Sequence, residues 1–135
     1  VISATEKIIP CFEIVDSRID DWKIKIQDTI ADNASCGIFV LGEGSSSPEK
    51  FQMDELEVIV HKNGEFLSSG LGSAVQGHPA EAVAWLANTL GEYDIPLLKG
   101  EFILSGSLVP LEPAIAGDSF SLELKGVGTC EINFI

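Results

Sequence analysis

Short apolar runs, each broken within a few residues by glycine, proline or asparagine, recur along almost the whole chain of 135 residues. Runs of about four to eight residues suit strands, because a helix that packs on a core needs a longer apolar stripe. Asn63-Gly64 separates two such runs and favours the type I′ turn of a hairpin. The predicted strands are residues 8–15, 38–41, 56–61, 65–69, 101–104, 108–111, 119–124 and 128–134.

Helical spacing is clear in one segment. Pro79 suits the first helical position, apolar residues recur at three- and four-residue spacing as far as Leu90, and Gly91 is predicted to form a left-handed C-terminal cap. The single apolar face of this helix is expected to pack on a sheet. Residues 16–35 fit two periods and are predicted as a loop with short helical turns. The fold class predicted is α+β and β-rich: a rolled, mixed β-sheet or barrel-like domain with one main helix.

The charge balance excludes some partners. The chain has 21 acidic and 8 basic residues, a net charge of −13, and Arg18 is its only arginine. An acidic surface repels phosphate backbones and anionic lipid headgroups. The chain also lacks a signal-peptide pattern and any apolar stretch of the roughly eighteen residues that a membrane helix needs. We therefore expect a cytoplasmic protein with no nucleic-acid or membrane partner.

The cysteines are three in number: Cys11, Cys36 and Cys130. Each lies in an apolar stretch, and no two of them form a C-x-x-C pair. Buried free thiols in a reducing compartment are therefore a better interpretation than disulfides or zinc ligands.

Glu13 is the one charged residue within the first predicted strand. A carboxylate among apolar neighbours is costly unless a positive group meets it, and a hard dication prefers oxygen ligands. From the residues alone two interpretations stay open. Glu13 is either a metal ligand or a carboxylate at a barrel end, in water or paired with Arg18 or Lys23.

Five strings stand in a fixed order along the chain: P-C-F-E-I-V-D-S-R-I (10–19), A-D-N-A-S (31–35), G-H-P (77–79), A-V-A-W-L-A-N (82–88) and S-G-S-L-V-P (105–110). In this order they resemble the 2-keto-4-pentenoate hydratase/4-oxalocrotonate decarboxylase branch of the fumarylacetoacetate hydrolase-like superfamily. The resemblance covers nearly the whole chain but only the C-terminal half of those enzymes. It implies a domain like the C-terminal domain of fumarylacetoacetate hydrolase.

The resemblance implies a hydratase that adds water to 2-hydroxypenta-2,4-dienoate (2-keto-4-pentenoate), giving 4-hydroxy-2-oxopentanoate in aromatic meta-cleavage catabolism. It also implies Mg²⁺ or Mn²⁺ on three carboxylates, of which Glu13 is one. The other two belong to an E-x-E motif upstream of this string. Residues 1–135 would then be a single catalytic-domain fragment, inactive alone, with the N-terminal part of the parent chain missing. The alternatives are a 4-oxalocrotonate (2-oxo-3-hexenedioate) decarboxylase and a non-enzymatic acidic assembly or binding module.

Further site residues are implied by the matching strings. Asp32, Asn33 and Ser35 are candidate catalytic residues, because their string offers carboxylate, amide and hydroxyl groups. Ser107 and Leu108 are candidate substrate-binding residues, since main-chain N–H groups at such a turn can meet a carboxylate. Ordinary turn chemistry is the alternative interpretation for both groups.

Arg18 is expected to anchor its loop through Asp16 or a neighbouring carboxylate rather than to bind substrate. The partners implied by the resemblance are a small 2-keto or 2-hydroxy dienoate substrate, further copies of the chain in a homo-oligomer, and the paralogous decarboxylase.

Overall fold

The Asn63-Gly64 dipeptide forms the predicted hairpin turn. Both residues are left-handed, with φ of 53° at Asn63 and 82° at Gly64, which is the geometry that a type I′ turn requires. The hairpin is part of a computed structural model that describes residues 1–135. Its strands are β1 (Cys11–Val15), β2 (Cys36–Leu41), β3 (Glu57–Lys62), β4 (Glu65–Leu71), β5 (Ser119–Leu124) and β6 (Gly128–Asn133), and its helices are α1 (Ile26–Ala31) and α2 (Pro79–Gly91).

The strands form two sheets. Strands β1 and β2 pair with each other, and the second sheet has the order β4-β3-β5-β6. All of these pairings are antiparallel, so the sheets are not mixed as predicted, and neither sheet closes into a barrel. The β-rich α+β class is nevertheless as predicted, with α2 as the main helix.

The core lies on one face of the four-stranded sheet. Val58 and Val60 of β3 stand opposite Leu124 and Leu122 of β5, so alternate residues of both strands share an apolar face. Val58, Val60 and Leu122 are buried there together with Cys130. This alternation of buried and outward residues is the period-two pattern on which the strand predictions depend.

The two-stranded sheet is held against this core. Phe12 of β1 packs edge-on against Phe120 of β5, with ring centroids 6.4 Å apart. Gly42, just after β2, lies so close to the carbonyl oxygen of Thr129 that a Cβ atom there would collide with it. These contacts fix β1, and with it Glu13, beside the apolar face.

Strand β1 is shorter than predicted. Pro10 has no N–H group to donate to a ladder, and before it only Ile8 makes an isolated bridge, to Ser46. The regular pairing therefore begins at Cys11.

Two predicted strands are wrong. Residues 101–104 and 108–111 belong to no strand, and the chain contains no helix or strand between Gly91 and Ser119. Leu108 and Val109 pack against the core, whereas Phe102 is 55% and Leu111 67% exposed. Because neither run has a strand beside it, neither can satisfy its backbone groups in a ladder.

The N-terminal end of helix α2 is as predicted. Pro79 is its first residue, and the Nδ1 atom of His78 accepts a hydrogen bond from the N–H group of Ala80 at 3.0 Å. The predicted C-terminal cap is wrong: Gly91 is the last helical residue, and Glu92 follows it in a right-handed conformation. Neither helix has the length and apolar character needed to span a bilayer.

The apolar face of α2 does not pack on a sheet as predicted. Pro79 is the only buried residue of the helix, whereas Val83 and Ala87 line an apolar cavity. The helix therefore needs a further partner to bury that face.

The cysteines are all free, but only Cys130 is buried; Cys11 is half-buried and Cys36 is exposed. The predicted burial of Cys36 is wrong, because it opens β2, whose residues are almost all exposed.

The chain exposes more surface than its mass predicts. Its accessible surface is 9108 Å², against about 6,800 Å² expected for a self-contained protein of this mass. The excess of about 2,300 Å² is the size of a large obligate interface. Large apolar side chains contribute to it, among them Trp85, Tyr93 and Ile115. Residues 1–135 by themselves therefore leave much apolar surface exposed to solvent.

Asp118 ties the β3–β4 turn to the start of β5. Its carboxylate accepts a hydrogen bond from the side-chain amide of Asn63 at 2.9 Å and pairs with the ammonium of Lys62 at 2.9 Å. These two bonds, together with one from the N–H group of Ile115, outweigh the effect of burial and lower the pKa of Asp118 to about 2. The carboxylate is therefore ionised throughout the ordinary pH range.

Asp118→Asn should destabilise the protein at neutral pH, and the difference from wild type should shrink in acid. The folded pKa lies below the ordinary value of 3.8, so this stabilisation is present above about pH 4 and is lost as the pH falls toward about 2. Urea unfolding of both proteins between about pH 2.5 and 7 measures the difference. A difference in unfolding free energy that stays constant over this range would show that the Asp118 carboxylate does not have this stabilising role.

Candidate active site

A large apolar cavity of about 2110 Å³ opens on the core face of the four-stranded sheet. Residues 1–16 and 94–114 form its other walls. Small-molecule pockets usually measure about 300–1,000 Å³. The cavity therefore has room for a small substrate and for additional protein.

Glu13 lines this cavity from the middle of β1, opposite Phe39 of β2. The side chain of Glu13 is exposed to solvent, although its neighbours in the strand are apolar. The two cations that could have paired with it are used elsewhere: Arg18 binds Asp32 at 3.2 Å and Lys23 binds Asp21 at 2.7 Å. A pairing of Glu13 with either cation is therefore excluded, and its carboxylate is free to meet another group.

Ser107 and Leu108 line the same cavity as Glu13. The hydroxyl of Ser107 donates to the carbonyl oxygen of Val109 at 2.6 Å, so its side chain is occupied within its own turn. The main-chain N–H groups of Ser107 and Leu108 donate to no carbonyl oxygen of the chain. A carboxylate and two main-chain N–H groups without a protein acceptor thus lie on the walls of one large cavity.

The turn that holds Ser107 and Leu108 is pressed against β4. Gly70 faces the carbonyl oxygen of Leu108 so closely that any Cβ atom would collide with it. Gly106 has a φ of 130°, which other residues rarely adopt, and it lies against Val75. The turn is therefore fixed in place by glycines on both sides of the contact.

Asp32, Asn33 and Ser35 lie outside this cavity, beyond the end of β1. The N–H group of Asp16 donates to the carbonyl oxygen of Ser35 at 2.8 Å and marks the junction. Asp32 and Ser35 are buried, whereas Asn33 is exposed. The structure therefore separates the predicted catalytic string from the cavity that contains Glu13.

Asp32 is the carboxylate to which Arg18 is anchored, rather than Asp16. Burial would raise the pKa of Asp32, but hydrogen bonds from the Arg18 N–H group, the Ser35 hydroxyl and the Arg18 guanidinium outweigh it and lower the pKa. Asp32 therefore stays ionised, and its charge is already matched by Arg18.

The side chains of this chain do not form a metal site by themselves. No three carboxylate, histidine or cysteine side chains lie close enough together to hold an ion. Glu13 is a free oxygen donor on the cavity wall, which fits one ligand of a hard dication. The remaining ligands of any such ion would have to come from outside these residues.

The walls at residues 94–114 were missed, because sequence analysis assigned parts of them to strands. The signal that could have identified an irregular wall is a series of strand-breaking residues: Pro96, Gly100, Gly106, Pro110 and Pro113.

A known protein family matches nearly the whole chain. Residues 8–135 match the family described as the C-terminal domain of fumarylacetoacetate (FAA) hydrolase. The chain belongs to the FAA hydrolase family. The resemblance seen in the sequence strings is thereby confirmed.

The relatives of this FAA hydrolase family chain include dienoate hydratases. It is 63% identical over 134 residues to 2-hydroxyhexa-2,4-dienoate hydratase of Comamonas testosteroni, a match that covers 99% of this chain and 51% of that enzyme. It is 60% identical over 95 residues to 2-hydroxypent-2,4-dienoate hydratase of Pseudomonas putida, covering 70% of this chain and 43% of that enzyme. The chain spans about half the length of these curated relatives.

A solved structure has the same fold as this FAA hydrolase family chain. The 4-oxalocrotonate decarboxylase of Pseudomonas putida G7, complexed with magnesium and adipate, superposes with a TM-score of 0.93 at 38% identity. The match covers 100% of this chain and 51% of the decarboxylase. The predicted likeness to the C-terminal domain of FAA hydrolase is therefore confirmed.

Proposed function

We propose that the chain is the C-terminal catalytic half of a divalent-metal-dependent hydratase, a hydro-lyase acting on 2-hydroxypenta-2,4-dienoate. The product would be 4-hydroxy-2-oxopentanoate, in aromatic meta-cleavage catabolism. The observation that carries this proposal is the identity of 60% and 63% to two dienoate hydratases. Identity to the decarboxylase structure is only 38%, which favours hydration over decarboxylation.

The other half of the enzyme would cover the apolar cavity. Support comes from the surface excess of about 2,300 Å² over a self-contained protein of this mass and from relatives about twice as long as this chain. The helix face at Val83 and Ala87 and the irregular wall at 94–114 both border this cavity. We place the N-terminal part of the parent chain there, as the source of the missing metal ligands.

Glu13 would be one carboxylate ligand of Mg²⁺ or Mn²⁺. Its freedom from any ion pair in the chain supports this role, as does the magnesium held by the related decarboxylase. A bound dication supplies Lewis-acid stabilisation of negative charge on the substrate. The contribution of this chain is to hold Glu13 rigidly on β1, through the packing of Phe12 on Phe120.

The substrate carboxylate would bind at the Ser107–Leu108 turn. Two free main-chain N–H groups on the cavity wall suit a carboxylate and add no side-chain charge. Asp32, Asn33 and Ser35, the candidate catalytic residues, lie at the far end of β1, and Asp32 and Ser35 are hydrogen-bonded to each other there. Of these three, only Asn33 has a side chain that is exposed and free of hydrogen bonds within the chain.

From the likeness to the family we also propose that the protein forms oligomers and is located in the cytoplasm. Exposed apolar side chains on both helices, among them Ile26, Ile30 and Trp85, suit a homo-oligomer or association with the paralogous decarboxylase. Three free thiols suit the reducing cytoplasm of a bacterium.

The test uses the full-length protein that contains this chain, loaded with Mg²⁺. Addition of 2-hydroxypenta-2,4-dienoate should give a loss of the ultraviolet absorbance of the conjugated dienoate, with 4-hydroxy-2-oxopentanoate as the product. A chelator should abolish the reaction. Faster release of CO₂ from 2-oxo-3-hexenedioate would identify the decarboxylase instead, and no turnover of either substrate would favour the binding module.

A further inference from the structure

We infer that Arg18 and Asp32 are positioning residues, which lock the Asn33–Ser35 turn against the end of the strand that carries Glu13. This inference assigns a role within the proposed hydratase and rests in part on that function. It removes Asp32 from the candidates for proton transfer and gives Arg18 a function other than substrate binding.

Both oxygen atoms of the Asp32 carboxylate are engaged inside the chain. Its Oδ2 atom accepts hydrogen bonds from the Arg18 N–H group at 3.1 Å, the Ser35 hydroxyl at 3.2 Å and the Ser17 hydroxyl at 3.4 Å. Its Oδ1 atom accepts from Nη1 of Arg18 at 3.2 Å. Four donors from the chain therefore surround the carboxylate. With only 5% of its side chain exposed, Asp32 has little access to a substrate.

The backbone conformation of the Asn33–Ser35 turn is intrinsically unfavourable. Asn33, Ala34 and Ser35 have φ angles of 50°, 59° and 54°, so three successive residues with side chains are left-handed. Single residues visit this region, but runs of them are unfavourable because each Cβ approaches the following carbonyl oxygen. Contacts from outside the turn must therefore stabilise this conformation.

Arg18 supplies those contacts on both sides of the turn. Its Nη1 atom donates to the Asp32 carbonyl oxygen at 3.1 Å as well as to the carboxylate, and its Nη2 atom donates to the Cys36 carbonyl oxygen at 2.6 Å. One planar guanidinium thus joins the residue before the turn to the residue after it. The single ammonium of lysine lacks this fork geometry and cannot serve both sides in the same way.

The clamp is coupled to Glu13 through the β1–β2 ladder. Cys36 pairs with Val15, and the Asp16 N–H group donates to the Ser35 carbonyl oxygen at 2.8 Å. Glu13 lies two residues before Val15, about 7 Å away along the strand. A displacement of the turn would therefore shift the start of β2 and the register that holds Glu13.

The experiment compares Asp32→Asn, Arg18→Lys and the double variant in the full-length protein. Asp21→Asn is the matched control, because it removes the same charge from an exposed ion pair with Lys23. One readout is hydrogen exchange at the amides of Asp16 and Ser35, which donate across the turn. The other is the rate constant kcat of the dienoate hydratase assay.

Both single variants should speed exchange at these two amides by at least about tenfold, while amides of β3 and β5 stay unchanged. Each single variant should lower kcat by about tenfold. The kcat of the double variant should be no lower than that of the less active single variant, because the two residues act as a unit. The control should match wild type in both readouts. If Asp32→Asn fails to fold, Ser35→Ala takes its place. This substitution removes one donor to the carboxylate and should speed exchange at the same two amides to a smaller extent.

Unchanged exchange in Asp32→Asn, combined with a loss of kcat beyond about a thousandfold, would make Asp32 a proton-transfer group and overturn the inference. Multiplicative losses in the double variant would also overturn it. If the wild-type protein lacks hydratase activity, the proposed function fails, but the exchange experiment still decides whether the clamp exists.

Discussion

Glu13→Gln should reduce the proposed hydratase activity of the full-length protein by at least about a thousandfold, which corresponds to about 4 kcal/mol of transition-state stabilisation. Glutamine has the same shape but no negative charge, so it is a poor ligand for Mg²⁺. The fold should be unaffected, because Glu13 is exposed and neither Arg18 nor Lys23 pairs with it. The measurements are the rate of loss of dienoate absorbance, the affinity for Mg²⁺ and the thermal unfolding midpoint.

Glu131→Gln is the matched control for this substitution. Glu131 is also an exposed glutamate in the middle of a strand, β6, but it does not line the cavity. The activity of the Glu131→Gln variant and its affinity for Mg²⁺ should stay within about twofold of wild type, as is usual for surface changes. Retention of both wild-type rate and wild-type affinity by Glu13→Gln would remove Glu13 from the site.

Local sequence signals predicted the elements whose causes are local. The Asn63-Gly64 turn, the alternation of Val58 and Val60, and the proline that begins α2 each depend on neighbouring residues, and the structure contains all three. The failures at 101–104 and 108–111 have a different cause. An apolar run indicates that a segment is to be covered, but not whether a strand or some other element covers it.

In the candidate site, too, features with local causes could be predicted and features with tertiary causes could not. Glu13 could be singled out because a carboxylate within an apolar run is conspicuous in the sequence. The exposure of Glu13 could not be predicted, because it depends on the tertiary packing around β1 rather than on the neighbouring residues. The ion pair of Asp32 was equally hidden, since its partner Arg18 lies fourteen positions away and meets it only after β1 and β2 pair. Tertiary contacts, rather than residue types, separate a positioning carboxylate from a reactive one.

Residues 1–135 expressed alone should bind Mg²⁺ at least about a hundredfold more weakly than the full-length protein. A lone exposed carboxylate gains little from a cation in water, because solvent screens the charge and no other ligand shares the ion. No group of three carboxylate, histidine or cysteine side chains that could hold an ion is present within these residues. Titration calorimetry of the two proteins under the same conditions measures the ratio.

The same isolated chain should bind apolar dyes strongly and unfold without a sharp transition, for a reason independent of the metal. Its cavity is lined largely by apolar residues, and Phe102, Leu111 and Ile115 are more than half exposed. Adding the N-terminal half in trans should suppress dye binding and restore cooperative unfolding, because burial of this surface stabilises both halves at once. If the chain alone unfolds as sharply as the full-length protein and binds no dye, then the cavity is a finished feature of the fold, and the placement of the other half over it is wrong.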